Sequence, residues 1–423
     1  MSEYIIGMDI GSSKICAAAG KVDKHGVMQI MGITSSVCRG VQRGIVVDID
    51  ATSEAIGKCI NSLEGMIDAK ISGVYISLPG IISELKLNKG VVAISSEDKE
   101  IKENDVRRVL KAAKVITIPS DKEIIGVIPQ QYIIDGYDKI KDPVGMSGLR
   151  LEADVQLILA QSAVVNNIFK SINKSGLKVL GIVFEPIAMS EVILKREEIE
   201  RGVAVVDVGA DCINIYIFSG GKLVHIDSIP LGGNTITNDI AICLKLPFSE
   251  AENIKKKYGN VGEKHSNGDS NVEIISEYNS KIKVEFSILK QIIEARIEEI
   301  LCMIGEKVSS SGHYDKLSGI VIVGGGLALI KDIEEFSQRI LQKPVRVGIP
   351  NYIGASNPLY ASVVGIVKDV ADLVKNKKDV FGNEDSTEKK YDEWTKEKSK
   401  KSDKYENNTG FLLKIKEFFT DFF

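Results

Sequence analysis

Asp9, Lys14 and the small residues between them could do chemistry together: residues 4–15 read YIIGMDIGSSKI. A buried strand from Tyr4 to Met8 leads to Asp9. Gly11, Ser12 and Ser13 then make a tight turn, Lys14 follows, and an apolar strand resumes at Ile15. Small residues let the backbone come close to a ligand, and the N–H groups of such a turn form a nest for anionic oxygens. Lys14 adds a positive charge, and Asp9 a carboxylate that could hold Mg²⁺ through water. Those parts suit a nucleoside triphosphate, although a strand ending in an ordinary tight turn has the same letters.

A second copy of the pattern decides between these readings. Residues 203–218, VAVVDVGADCINIYIF, again give an apolar strand, then Asp207, Val208 and Gly209, a small turn and an alternating strand. Both copies run on to a polar hairpin turn, at residues 23–26 and 219–221. Internal similarity over such a separation predicts two related halves, whose hairpins could clamp one polyphosphate between them. A third piece, residues 320–328 (IVIVGGGLA), reads as a buried strand ending in Gly324, Gly325 and Gly326, then a helix. A glycine-rich strand-to-helix turn suits a nucleoside or phosphate.

In this order the three pieces resemble the first phosphate, second phosphate and adenosine loops of the actin/DnaK-type/sugar-kinase ATPase superfamily. The resemblance implies ATP with Mg²⁺, the ion held through water by Asp9 and Asp207. It implies nucleotide contacts from Asp9, Gly11, Ser12, Ser13, Lys14, Asp207, Gly209, Ala210, Asp211, Gly233, Glu252, Lys255, Gly324, Gly325, Gly326 and Leu327.

Two or three domains fit in 423 residues. A 44% hydrophobic and 26% charged composition allows a large core. The net charge of -4 gives no case for nucleic acid as a partner. Cys16, Cys38, Cys59, Cys212, Cys243 and Cys302 are scattered without paired spacing and read as reduced core thiols of a cytosolic protein. Four isolated histidines suggest no zinc site. The chain opens directly into a core strand, which predicts no signal peptide. No apolar run approaches the roughly 18–20 residues needed to span a bilayer.

The elements that must position the loops read as an α/β frame in two halves. Residues 1–80 and 160–190 form the first: a meander over 4–33, a segment 40–50, and a helix over 52–67 with Ile56, Ile60, Leu63 and Ile67 on one face. A short strand over 72–78 stops at Pro79 and Gly80; a helix over 164–174 and a strand over 179–184 follow later. Residues 81–159 differ, with strand-like stretches at 90–95, 123–135 and 151–159 around a helix over 103–115. Val106, Val109, Leu110 and Ala113 stripe that helix. This α+β patterning predicts an inserted subdomain, with the glycine- and proline-rich 142–148 as one of its loops.

Residues 191–229 and 285–350 form the second half, 230–284 its small subdomain, and 351–375 a closing segment that returns to the first half. A helix over 186–196 starts at Glu185-Pro186, proline being favoured in a first turn. Glu185 is an acid beside a helix N-terminus, or, by resemblance to superfamily members with an E-P-x-A motif, the glutamate directed at the attacking water. In the small subdomain, residues 230–239 (PLGGNTITND) make a glycine turn feeding a helix. Another helix runs over 249–258, where Ser249 with Glu252 fits a capping box. Glu252 and Lys255 also match the A-E-x-I-K pattern that meets ribose and adenine in bacterial actins. Residues 262–284 read as polar hairpins, and the helix 286–308 offers Ile292, Ala295, Ile300 and Met303 to the core.

Residues 376–409, which include Trp394, are about half charged with both signs mixed, and predict a disordered linker. Residues 410–423, GFLLKIKEFFTDFF, reverse that composition. On a helical wheel Phe411, Leu412, Ile415, Phe418, Phe419, Phe422 and Phe423 share one face. Such a helix could dock on its own globular body; set behind a long linker and rich in aromatics, it reads as a membrane-interface helix.

These features, with the stretches GIVVDID, IKENDVRRV, DPVGMSGLRLEADV, PLGGNTITNDIA, AENIKKKYG, IIEARIEEIL and KPVRVGIP, resemble the FtsA family of actin-like bacterial division proteins over nearly the whole chain. The resemblance implies an actin-like fold, self-association into filaments, and capture of the FtsZ C-terminal tail. It also implies contacts with other division proteins and peripheral attachment to the cytoplasmic side of the cell membrane at the septum. Ser190 stands about where actin has its water-orienting glutamine, which leaves Glu185 as the candidate catalytic residue. ATP would then act mainly as a conformational and assembly ligand, hydrolysed weakly if at all. A PilM-like pilus scaffold would share the fold and inserted subdomain but have no use for the tail. A sugar kinase would need a catalytic aspartate and a substrate cleft, and a DnaK-type chaperone a β-rich peptide-binding domain.

Overall fold

The computed structural model describes residues 4–78, 80–262, 271–275 and 281–380. Residues 381–423, which hold most of the expected linker, Trp394 and the expected membrane helix, lie outside the described residues.

Two five-stranded sheets carry the two halves. In the first the order is Lys178–Phe184, Gly73–Leu78, Ile5–Ile10, Lys14–Val22, Met28–Val37. In the second it is Val345–Val347, Gly319–Val323, Val203–Val208, Ile213–Ser219, Lys222–Ile229. Each central strand pairs antiparallel with its hairpin partner and parallel with a strand reached by a long crossover. That follows from connection length, because a tight turn can join only antiparallel neighbours.

The aspartate strands are apolar runs because both their faces are covered. Ala204, Val206 and Val208 pack with the helices Gly233–Leu244 and Phe286–Ser310. On the other face Val203 and Val205 pack with Met189 and Ile193 of the helix Glu185–Ile193. In the first half Ile6 and Met8 meet the helix Ile49–Ile67. Behind that sheet the helix Ala361–Val380 comes very close: a Cβ at Gly20 would stand 2.2 Å from Val367 Cγ1. Inserted within the first half, Ser83–Ala93, Arg150–Gln161, Lys122–Ile134 and Tyr137–Ile140 form an antiparallel sheet. The helix Glu103–Ala113 packs on it through Val109, Leu110 and Ala113.

Several expectations need correction. Asp9 and Asp207 lie within their strands rather than beyond them. The edge strand begins at Ser83, not Gly90; its first part alternates leucine with lysine and asparagine, as suits an edge. The helix after Glu185 ends at Ile193, and a short one, Arg196–Arg201, follows. On Phe286–Ser310 the buried stripe is Leu289, Ile293, Ile297, Ile300, Leu301, Ile304 and Val308; Ala295 is exposed. Residues 376–380, read as linker, continue the closing helix. Cys243 and Cys302 are exposed, not core thiols. Among the described residues no helix is long and apolar enough to cross a membrane.

Candidate functional site

The two aspartate turns match residue for residue. Asp9 stands opposite Cys16 in its hairpin, and Asp207 opposite Asn214. The Gly11 N–H donates to Lys14 O at 3.0 Å, and the Gly209 N–H to Cys212 O at 2.9 Å. Positions 9, 11, 14 and 16 thus answer to 207, 209, 212 and 214.

Between the turns three carboxyl groups gather. Burial raises the Asp9 carboxyl, against the pull of Lys14 and a 3.2 Å hydrogen bond from Ser77 Oγ. Burial, then the Asp9 charge, pushes Asp207 up to about 6. Glu185, only 4% exposed, is raised well above the usual range by burial and then by both aspartates. Its Oε1 accepts from Ser362 Oγ at 2.8 Å and its Oε2 from Tyr216 Oη at 3.5 Å. Lys14 is the cation that steadies both aspartates, and its Nζ lies 5.8 Å from the centre of the Tyr360 ring. Like charges confined in a poorly solvated space favour a bound cation. Among the described residues no three His, Cys, Asp or Glu converge on a direct metal site.

The glycine turn closes against this group. Gly324 has φ +83°, and a Cβ there would meet Asp207 Oδ1 at 2.4 Å. A Cβ at Gly326 would meet Gly209 O at 2.7 Å, and one at Gly325 would meet Leu359 Cδ2 at 2.7 Å. No helix follows directly: Ile333–Leu341 starts only after Asp332, and the residues between form a loop. Leu327 is fully buried in the core, so only its main chain can face a ligand.

The second turn is braced from behind. The Gly233 N–H donates to Gly209 O at 2.9 Å, the Asn234 N–H to Ala210 O at 2.9 Å, and Asn234 Nδ2 to Asp211 Oδ1 at 2.7 Å. Lys255, 5% exposed, spends its ammonium on Gly233 O (2.9 Å), Thr237 Oγ1 (2.7 Å) and Glu252 (2.6 Å). Burial lowers its pKa, while burial of Glu252 is outweighed by Lys255 and leaves that carboxyl below its usual range. Lys255 thereby fixes the helix start beside Gly326. The expected capping box is absent: Phe248–Tyr258 starts after Pro247, and Glu252 bonds Thr237 and the two lysines instead. Ser12 Oγ accepts from the Gly44 N–H at 3.3 Å, and Ser13 is exposed.

Sequence reasoning missed Ser77, Asn214, Tyr216, Asn234 and Ser362. Asn214 and Tyr216 left one signal, as polar atoms within the apolar run of a strand that ends at Ser219.

A family model described as "Cell division protein FtsA" matches residues 204–365, and one described as "SHS2 domain inserted in FTSA" matches residues 83–159. Cell division protein FtsA of Bacillus subtilis is 35% identical over 368 residues, covering 87% of this chain and 83% of the relative. Cell division protein FtsA of Escherichia coli K12 is 33% identical over 378 residues, covering 86% and 90%. Among solved structures, a PilM-PilN type IV pilus biogenesis complex aligns with TM-score 0.60 at 16% identity, over 87% of this chain and 98% of that one. MreB5 of Spiroplasma citri bound to AMPPNP aligns with TM-score 0.53 at 14% identity, over 90% and 100%. At these identities the structural likeness is one of fold, and the fold is actin-like.

Proposed function

The chain belongs to the FtsA family of cell division proteins, and we propose that it serves there as an ATP-binding, self-associating adaptor. In this reading it tethers FtsZ filaments to the inner face of the cytoplasmic membrane at the septum. The observation that carries it is the pair of matched turns with three carboxyl groups between them, Glu185 buried and Asp9 and Asp207 half-buried. Asp9 and Asp207 would hold Mg²⁺ through water, the turn N–H groups would receive phosphate oxygens, and Gly324–Gly326 would let the nucleoside lie against bare backbone. Bound Mg²⁺ would neutralise phosphate charge.

One feature argues for slow hydrolysis. Ser190 Oγ donates to Ile187 O at 2.7 Å within its own helix, so its hydroxyl is already engaged. ATP then serves mainly as an assembly ligand.

The proposed division of labour assigns the FtsZ tail to residues 230–284 and the membrane to 410–423. Co-sedimentation of the full chain and FtsZ with lipid vesicles tests it. FtsZ should pellet with vesicles when the full chain is present. It should stay in solution when residues 410–423 are removed or when Phe418→Glu and Phe419→Glu put charges on the apolar face. Vesicle recruitment of FtsZ by either variant at the full-chain level would remove the anchor from the reading.

A further inference from the structure

Tyr216 has a fully buried ring, and its hydroxyl stands between two parts of the molecule. On one side it donates to Glu185 Oε2 at 3.5 Å. On the other it accepts the Gly80 N–H at 3.2 Å. Gly80 opens the short turn Gly80–Ile82, between the strand Gly73–Leu78 and the edge strand Ser83–Ala93. The first of these strands supplies Ser77 to Asp9; the second begins the inserted antiparallel sheet. The ring is seated hard on the turn: a Cβ at Gly80 would lie 2.4 Å from Tyr216 Cε1 and 3.1 Å from Ile226 Cγ2. Only glycine admits the tyrosine there, so the ring packs directly on the turn's backbone.

The two bonds differ in stiffness. The Gly80 contact, at 3.2 Å, is at the long end of the N–H···O range, whereas the Glu185 contact, at 3.5 Å, lies beyond the usual O–H···O range, where a small shift makes or breaks the bond. The other oxygen of Glu185 is held at 2.8 Å by Ser362, near the start of the helix Ala361–Val380. One carboxyl group beside Asp9 and Asp207 therefore reaches the root of the inserted sheet through Tyr216 and touches the start of the closing helix through Ser362.

Building on the nucleotide site proposed above, we propose that Tyr216 is a positioning residue that couples occupancy of that site to the inserted sheet, through Glu185 and the Gly80 turn. A ligand that draws Glu185 toward it shortens or breaks the contact with Tyr216, and the turn under the ring follows. The inserted sheet then adopts a pose that reports what lies between the two aspartates.

Hydrogen exchange of the full chain, with and without ATP and Mg²⁺, tests this, with calorimetry on the same samples. In wild type, ATP with Mg²⁺ should change exchange at Gly80 and over residues 83–93 by about fivefold, the weight of one hydrogen bond. Tyr216→Phe should lose that change while keeping affinity within about threefold and keeping the response over residues 361–370. Ser362→Ala should show the reverse. If Tyr216→Phe fails to fold, Glu185→Ala, which removes the acceptor, carries the same expectation of an unresponsive 83–93 segment. A nucleotide-dependent change over 83–93 that survives Tyr216→Phe or, in its place, Glu185→Ala overturns the coupling. So does wild type that binds ATP without any change there. Absence of ATP binding by calorimetry would instead bring down the site reading itself, and the coupling with it.

Discussion

The turns at residues 11–14 and 209–212 share one backbone and differ in chemistry. Each follows an aspartate at the end of a central strand, and each closes with the same glycine-to-carbonyl hydrogen bond. The side chains then part. Where the first has Ser12, Ser13 and Lys14, the second has Ala210, Asp211 and Cys212. Burial, then the nearby acids, pushes the Cys212 thiol up to about 12, so it carries no charge at neutral pH. The fold repeats the geometry because both sheets need the same hairpin beside the same parallel neighbour. The charge is not repeated: one side supplies the cation, the other a neutral wall and another acid. A single polyphosphate gripped this way is gripped unevenly.

The largest expected effect tests what the halves share. Asp9→Asn and Asp207→Asn should each weaken ATP·Mg²⁺ binding by about 100-fold in calorimetry, since each removes a charge-assisted ligand. The same Asp207→Asn should stabilise the protein without nucleotide. Its carboxyl is raised from 3.8 to about 6, so the folded state holds more protons through that window. Stability from this group is present below about 4 and lost as pH rises through about 6. At pH 7 the substitution should recover on the order of 1–3 kcal/mol, seen as a higher Tm than wild type. Burial and neighbouring acids raise Asp369 to about 6 and Glu191 to about 7, sloping the same way. The difference between variant and wild type, measured across pH 4–8, therefore cancels those two and reports Asp207 together with Asp9 and Glu185, the acids it is coupled to.

A smaller effect tests the asymmetry. Lys14→Ala should cost about tenfold or more in affinity, and Cys212→Ala less than about threefold. Equal losses would make the two turns chemically equivalent. Smaller still is the test of shared geometry. A Cβ at Gly11 would meet Lys14 O at 3.0 Å, and one at Gly209 would meet Cys212 O at 3.1 Å. Gly11→Ala and Gly209→Ala should therefore shift Tm by equal amounts, each corresponding to about 1 kcal/mol. A strong inequality would break the match.

The parts legible in the sequence were those written locally and twice. The repeat placed Asp9 and Asp207, and the glycine triplet placed the third loop. Less legible was what depends on tertiary neighbours. Glu252 fits a capping box by spacing, yet it turns to Lys255 and Thr237, a pairing that needs two helices packed together. Leu327 follows the glycine turn but points into the core. Ser83–Lys89 hid as a strand because an edge strand tolerates lysine and asparagine. Ser362 and Tyr216 gain their roles only when distant segments meet at Glu185.

One calorimetric titration bears most directly on the claim that a single ATP·Mg²⁺ is held between the matched turns. ATP would be titrated into the full chain at pH 6, with Mg²⁺ or with chelator, in two buffers of different ionisation heat. Asp207 is partly protonated there, so cation binding beside it must expel protons. The account predicts one site per chain, binding that requires Mg²⁺, and a buffer-dependent heat reporting proton release. Absence of binding, or equal affinity with chelator and no proton release, would contradict it.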